Sequence, residues 1–447
     1  MFMQNLSKEN RPMGMTAFMI VAVGQAISLI GSGMTQFAIT IWAWQETGQA
    51  TALALAGFFG FTPVVLFSPF AGALVDRWNR KLVMMLSDLA AGVGTVVLLL
   101  LYRGDGLQIW HIYALSAFVG LFQAFQWPAF SAAISVMLPK EQYARANGML
   151  ELARSGAGIL APVLAGAMLG WAGIGWVFGV DVITCLFAIG ALLVIHVPEP
   201  EVSRAGEDGR GNLWKEAGFG FEYIWKRPSL FWLQMIFFFI NLTASFGFTV
   251  LAAMILARTN DDTVVLGTVQ SAGAVGGVVG SLLLSAWGGP KRRIHGVLGS
   301  IIAVSILNTT LMGLGRSLPV WAVASFLGAI TLPLLNGSNQ AIWQAKVPPD
   351  VQGRVFSIRR LIAQITVPLA TLMAGPLADY VFEPAMNPGG ALAPLFGGML
   401  GTGPGAGMAV MFLISGVLGV LVGVAGYLFP LVRDVEDHLP DHDAVTV

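Results

Sequence analysis

Twelve apolar stretches, each near or above the roughly 20 residues that an α-helix needs to cross a bilayer, leave this chain few choices of fold. They run approximately 16–44, 51–74, 82–101, 109–137, 146–172 and 174–197, then 229–256, 263–287, 294–314, 319–345, 355–382 and 407–431. In lipid the backbone N–H and C=O groups must be satisfied within each segment, so such stretches become spanning helices. Only 11% of the 447 residues are charged, against roughly 25% in soluble domains. The first segment is too long for the core of a signal peptide and is expected to be an uncleaved spanning helix. Net charge is zero, so there is no general electrostatic case for nucleic acid as a partner. Lipid is the partner that the composition does require.

Charge sets the orientation. With both termini and the even-to-odd loops in the cytoplasm, that side holds 18 of the 24 Lys and Arg residues, and the other side holds only Arg103, Arg258 and Arg316. The bias predicts a multi-pass cell-membrane (inner-membrane) protein with cytoplasmic N- and C-termini. The one long polar stretch, Pro198 to Pro228, divides the chain. The expected organisation is a six-helix half over 1–197, a linker over 198–228, a second six-helix half over 229–432 and a cytoplasmic tail over 433–447. Within the linker, Leu213 to Lys226 alternates aromatic and charged residues, which suits a helix lying on the membrane face.

An internal repeat relates the halves. Leu138-Pro-Lys-Glu-Gln-Tyr-Ala-Arg-Ala146 matches Val347-Pro-Pro-Asp-Val-Gln-Gly-Arg-Val355 at an offset of 209. The fold class expected is therefore all-α integral membrane, with twelve transmembrane helices in two six-helix halves related by a pseudo-twofold repeat. Transporters built this way bind substrate near the midplane between the halves.

Between the second and third segments lies Gly72-Ala-Leu-Val-Asp-Arg-Trp-Asn-Arg-Lys81, a tight basic hairpin. It resembles the loop between helices 2 and 3 of major facilitator superfamily transporters. A Gly usually stands in that family where this chain has Asn79, a residue that tolerates left-handed backbone. Ala157-Gly-Ile-Leu-Ala-Pro-Val-Leu-Ala-Gly166 is similar to the helix-5 motif of antiporters in the family. Arg-Ala-Asn-Gly148, Gly353-Arg-Val-Phe-Ser357 and Ala374-Gly-Pro-Leu-Ala-Asp379 extend the likeness to the drug:proton antiporter branch that holds macrolide-efflux proteins and siderophore exporters. The resemblance implies a cytoplasmic gate at Gly72, Asp76, Arg77, Arg80 and Lys81, and a hinge at Pro162 and Gly166, where ordinary close packing is the alternative. It also implies that helices 1, 4, 7 and 10 line a central cavity, and that the working unit is a monomer. The arginine motif that many proton-coupled members carry in helix 4 is missing here; Gln123 and Gln126 stand in that segment.

Ionisable residues at membrane depth are costly and each invites a functional reading. Glu151 and Arg154 share a helical face: either Glu151 carries a proton tuned by Arg154, or the pair contacts substrate, or the two neutralise each other. Asp181 is either a proton carrier or a hydrogen-bond partner of a neighbouring helix. Asp88 is expected to join the cytoplasmic charge cluster, and Asp379 to be a helix-terminus residue. Neutral polar groups, with two aromatics among them, fall on the four cavity helices: Gln25, Ser32 and Gln36 on one face; Gln123, Gln126 and Phe130; Asn241, Ser245 and Phe248; and Asn336, Gln340 and Gln344, again on one face. They act as substrate contacts or as interhelical glue.

A mostly apolar cavity with scattered amides suits bulky amphipathic cargo. The expected function is a secondary-active transporter, exporting hydrophobic or macrolide-like drugs or siderophores in exchange for protons by alternating access. A lipid or small-metabolite carrier, or a transport-inactive receptor or scaffold, is the alternative. Enzyme activity is not expected: there is no metal-ligand spacing, nucleophile elbow or Walker-type loop. No cofactor and no metal are expected, the energy source being the proton gradient.

Overall fold

The computed structural model describes residues 12, 14–75, 78–138, 143–195, 197, 220–347 and 352–440. The first six long helices are α1 (Gly14–Thr47), α2 (Ala50–Val75), α3 (Arg80–Arg103), α4 (Ile109–Met137), α5 (Tyr143–Trp171) and α6 (Ile174–Val194). Then come α7 (Pro228–Thr259), α8 (Thr263–Trp287), α9 (Arg293–Leu314) and α10 (Leu318–Lys346). The eleventh, α11, runs through Gln352–Gln364, Thr366–Leu377, a π-helical turn Ala378–Phe382 and Glu383–Met386. A short helix, Ala393–Leu400, precedes α12 (Ala406–Leu428). Eleven helices among the described residues are long and apolar enough to cross a membrane. The fourth expected segment forms the 29-residue α4, which is not among those eleven.

Sequence chemistry explains the ends of these helices. Asn79 caps α3, its side-chain oxygen accepting from Leu82 N at 3.1 Å. Its φ of −63° is not left-handed, so Asn is accommodated in the hairpin because it caps, and tolerance of unusual backbone is not needed. Asp262 caps α8 by accepting from Val264 N and Val265 N. Gly48, at φ +60°, ends α1 and leaves a two-residue link to α2.

The described chain forms two compact units. The first takes Met1–Ala43 and Phe59–Gly209; the second takes Arg210–Val447 and also Trp44–Phe58, the adjoining ends of α1 and α2. Phe18, Met84, Ile134 and Leu192 lie in the core of the first unit. Leu230, Ile294, Leu298 and Trp343 lie in the core of the second.

Glycine sets the closest approaches. In the second unit a Cβ on Gly276 or Gly280 would lie 2.4 or 2.3 Å from the carbonyl oxygens of Phe326 and Ile330, so α8 and α10 touch backbone to backbone. This is the small-xxx-small packing expected where lipid removes the hydrophobic drive between helices.

Of the linker helix, residues 220–225 are described and helical. Tyr223 and Ile224 face the second unit's core while Phe221 and Trp225 are exposed, which makes the piece two-faced. Positions 213–219 lie outside the described residues. The stretch expected to be a tail is docked as far as it is described: Val435 is buried, and Glu436 accepts from Ile294 N at 3.0 Å. Lys346 Nζ donates to the carbonyls of Glu436 and Leu439, and Arg292 pairs with Asp437.

Replacing Gly276 with Val should lower the stability of the detergent-purified protein by about 1–3 kcal/mol, because the added carbons must push two backbones apart. Thermal unfolding against wild type reads this, with Gly277→Val, which has nothing within 4 Å, as the control.

Candidate substrate and coupling site

In the first unit α1, α3 and α4 bring three polar side chains together. Asp88 is only 4% exposed. Its Oδ2 accepts from Gln25 Nε2 at 2.6 Å and its Oδ1 accepts from Gln126 Nε2 at 2.7 Å. Gln126 Nε2 also reaches Gln25 Oε1 at 3.3 Å. Gln25 and Gln126 in turn wall a cavity of about 260 Å³, together with Leu29, Met84, Gln123, Phe130, Leu150 and Arg154. The carboxylate thus sits behind two amides that face an otherwise mostly apolar space.

Asp88 was expected among the cytoplasmic charges, and the structure corrects this. Sequence position relative to the basic hairpin drew the residue toward the surface; the helix turns it inward instead. The available signal was its depth, two turns into an apolar segment opposite two segments that each carry glutamines. No single-helix pattern joins Gln25, Asp88 and Gln126.

Asp181 occupies a second polar centre in the same unit and is 3% exposed. It accepts from Thr95 Oγ1 at 2.7 Å and from Ser32 Oγ at 3.1 Å, which ties α6 to α3 and α1. Gly31 makes room for it, since a Cβ there would lie 3.1 Å from Asp181 Oδ1. Cys185, one turn on, donates its thiol to the Asp88 carbonyl at 3.1 Å. Ser32, expected as a cavity residue, is therefore a ligand of Asp181, and Gln36 on the same stripe is exposed.

The second unit uses its stripes differently. Asn241 donates to Phe237 O within its own helix, and Ser245 O accepts from Thr249. Phe248 is 78% exposed. Gln340 accepts from Arg359 Nη1 at 2.7 Å, while Asn336 and Gln344 are exposed. Two buried amides were not anticipated: Gln234, which donates to Arg359 O, and Asn339.

The sequence model of the Major Facilitator Superfamily matches residues 21–371. This chain belongs to that superfamily. Macrolide efflux protein A of Streptococcus pyogenes is 26% identical over 373 residues, covering 81% of this chain and 90% of that one. The multidrug efflux pump Tap of Mycolicibacterium fortuitum is 23% identical over 418 residues, covering 91% and 94%. Among solved structures, a bacterial homologue of the human lysosomal transporter Spinster, inward-facing and unoccupied, aligns with a TM-score of 0.66 at 17% identity over 94% of this chain and 98% of that one. The POT family transporter PepTSo aligns at 0.69 and 12% identity, over 95% and 100%. The protein is accordingly a multi-pass membrane transporter with the superfamily's fold.

Other expected superfamily features fall as follows. Asp76 and Arg77 lie outside the described residues, and Gly72 is in the last turn of α2. Lys81 donates to Ile195 O at 2.8 Å and Leu193 O at 3.3 Å, a cation on the last carbonyls of α6. Arg80 begins α3. Pro162 lies inside an unbroken α5, near a small-residue face formed by Ala157, Ala161 and Ala165. A Cβ on Gly33 of α1 would meet Ala161 Cβ at 2.8 Å, so the two helices pack closely there, and Gly166 follows on α5. Arg154 is exposed on the cavity wall, and the side chain of Glu151 lies outside the described residues.

Thr95→Val should cost about 1.5–3 kcal/mol of stability, because it removes a hydrogen bond to a buried carboxyl group. Asp181→Asn should cost less, since the amide oxygen still accepts. Thermal unfolding of the two variants would show that order.

Proposed function

We propose that this superfamily member exports amphipathic, cationic drugs of the macrolide kind, or siderophores, in exchange for protons by alternating access, with Asp88 as the proton carrier. The observation that carries the reading is the buried Asp88 carboxylate held by Gln25 and Gln126 at the wall of an apolar cavity. Carboxylate and cation are both expensive to bring into hydrocarbon, and each offsets the other. A cationic ligand in the cavity and a proton on Asp88 neutralise the same charge, so binding one disfavours the other. That competition is the thermodynamic core of exchange.

The roles of the partners follow. Gln25 and Gln126 hold the deprotonated carboxylate, one on each oxygen, and the amide that faces the protonated oxygen must reorient when that oxygen becomes a donor, which passes its state to the cavity surface. Phe130, Leu29 and Met84 supply apolar contact for the ligand body. Arg154 sets the local potential and makes the empty site electrostatically tolerable. Asp181, whose donors are hydroxyls, keeps α1, α3 and α6 in register and is the second candidate carrier, with Glu151 the third. The close α1–α5 contact at Gly33 and Ala161, beside Pro162 and Gly166, is where the helices would slide. The basic hairpin Gly72 to Lys81 would act as the cytoplasmic gate of a monomer whose termini face the cytoplasm. The names of the macrolide and multidrug efflux relatives support the substrate class.

The test is proton release from purified protein in weak buffer on adding erythromycin, in wild type, Asp88→Asn, Asp181→Asn and Glu151→Gln. Release by wild type and its loss in Asp88→Asn alone is the expected outcome. Release that survives in Asp88→Asn but is lost in another variant moves the carrier to that acid. Erythromycin binding with no proton released by wild type removes proton exchange as the mechanism.

A further inference from the structure

The ends of α1 and α2 that join the second unit are held there by two carboxylates. Asp379 Oδ1 accepts from Ala50 N at 2.9 Å and Oδ2 accepts from Thr51 N at 2.7 Å. These are the first two N–H groups of a 26-residue helix, which have no partner inside it. A carboxylate there also meets the positive end of the helix dipole. Four residues earlier, Gly375 lets the helices touch: a Cβ on it would lie 2.6 Å from Thr51 Cα and 2.8 Å from Ala54 Cβ. Asp379 belongs to the π-helical turn Ala378–Phe382, whose extra residue per turn re-aims the side chains that follow Gly375. Beside it, Trp44 Nε1 donates to Asp261 Oδ1 at 2.7 Å. Asp261 is held in place by a turn in which both Asn260 (φ 52°) and Asp261 (φ 65°) are left-handed.

The sequence carries a matching signal. Gly375-Pro-Leu-Ala-Asp379 spells Gly-x-Leu-x-Asp, as does Gly72-Ala-Leu-Val-Asp76. Gly72 to Val75 are the last residues of α2, and Gly375 to Asp379 lie toward the C-terminal end of α11.

We propose that Gly375 and Asp379, with Asp261 on Trp44, form a releasable latch for residues 44–58, the opposite-end counterpart of the gate at Gly72 and Asp76. The latch fastens the start of α2 to the end of α11, using a carboxylate on a helix N-terminus and a glycine for close approach. Residues 44–58 are continuous in the chain with 14–43 and 59–75 of the first unit, so any rearrangement that swings that end of α1 and α2 must first withdraw Asp379 from Ala50 and Thr51. Its role in transport rests on the alternating-access reading above; the latch itself does not.

The test places spin labels on Gln49→Cys and Asn387→Cys, both exposed, in a Cys185→Ala background of the full chain in lipid nanodiscs, and reads their distance by pulsed EPR. Wild type should give one short, narrow distribution. Asp379→Ala should raise the ratio of separated to docked populations on the order of tenfold, the worth of a helix cap. Asp379→Asn, which keeps an acceptor, should raise it less. Gly375→Val should separate the labels even though Asp379 remains, which guards against reading a folding defect as release. Unchanged distances in both Asp379→Ala and Gly375→Val would overturn the latch. Because the distances are read without transport, failure of proton release in the erythromycin experiment would leave the latch intact.

Discussion

Inside a bilayer there is no water to solvate a carboxylate, so an acid buried in the helix bundle depends on donors that the protein itself supplies. Asp88 takes two amides, Asp181 two hydroxyls, Asp379 two backbone N–H groups, and Glu383 the N–H groups of Gly405 and Met408 at the start of α12. The donor type separates the four. Backbone N–H groups at a helix start are fixed, so Asp379 and Glu383 serve as fasteners. Amides can reverse, so the surroundings of Asp88 can follow a change in its charge.

Delivering those donors requires the helices to come close, and the small residues fall where they must. Gly31 opens the α1–α6 contact for Asp181, and Gly375 opens the contact that lets Asp379 reach α2. Elsewhere the same device is used for packing alone, as where a Cβ on Gly120 would lie only 2.1 Å from the Gly60 carbonyl oxygen. Glycine is poorly suited to helices in water, but spanning helices are held by the lipid, and the backbone contact it permits is what lipid cannot supply.

Much of the architecture was legible because hydropathy reports on one helix at a time. The apolar runs could be read along the chain, as could the short Asn and Asp caps once the helix starts were known. The candidate site was legible only in part. Gln25, Gln123, Gln126 and Phe130, from the stripes read along α1 and α4, wall a cavity within the first unit, and Arg154, read as a coupling residue, lies on the same wall, whereas Ser32 was drawn away to Asp181 and Phe248 turns outward. Asp88 was misplaced because its partners come from α1 and α4, 63 and 38 residues away, and no pattern within α3 reveals them.

The sequence by itself determined that this chain would be a bundle of membrane helices with the superfamily's hairpin, because lipid permits little else for such segments. It also supplied the acids and amides. Only the tertiary structure decided which acid meets which donors, and that Asp379 serves the start of α2 as well as lying near the end of its own helix. Side-chain partners across helices depend on helix rotation and separation to within an ångström, and those are set by packing between segments distant in the chain.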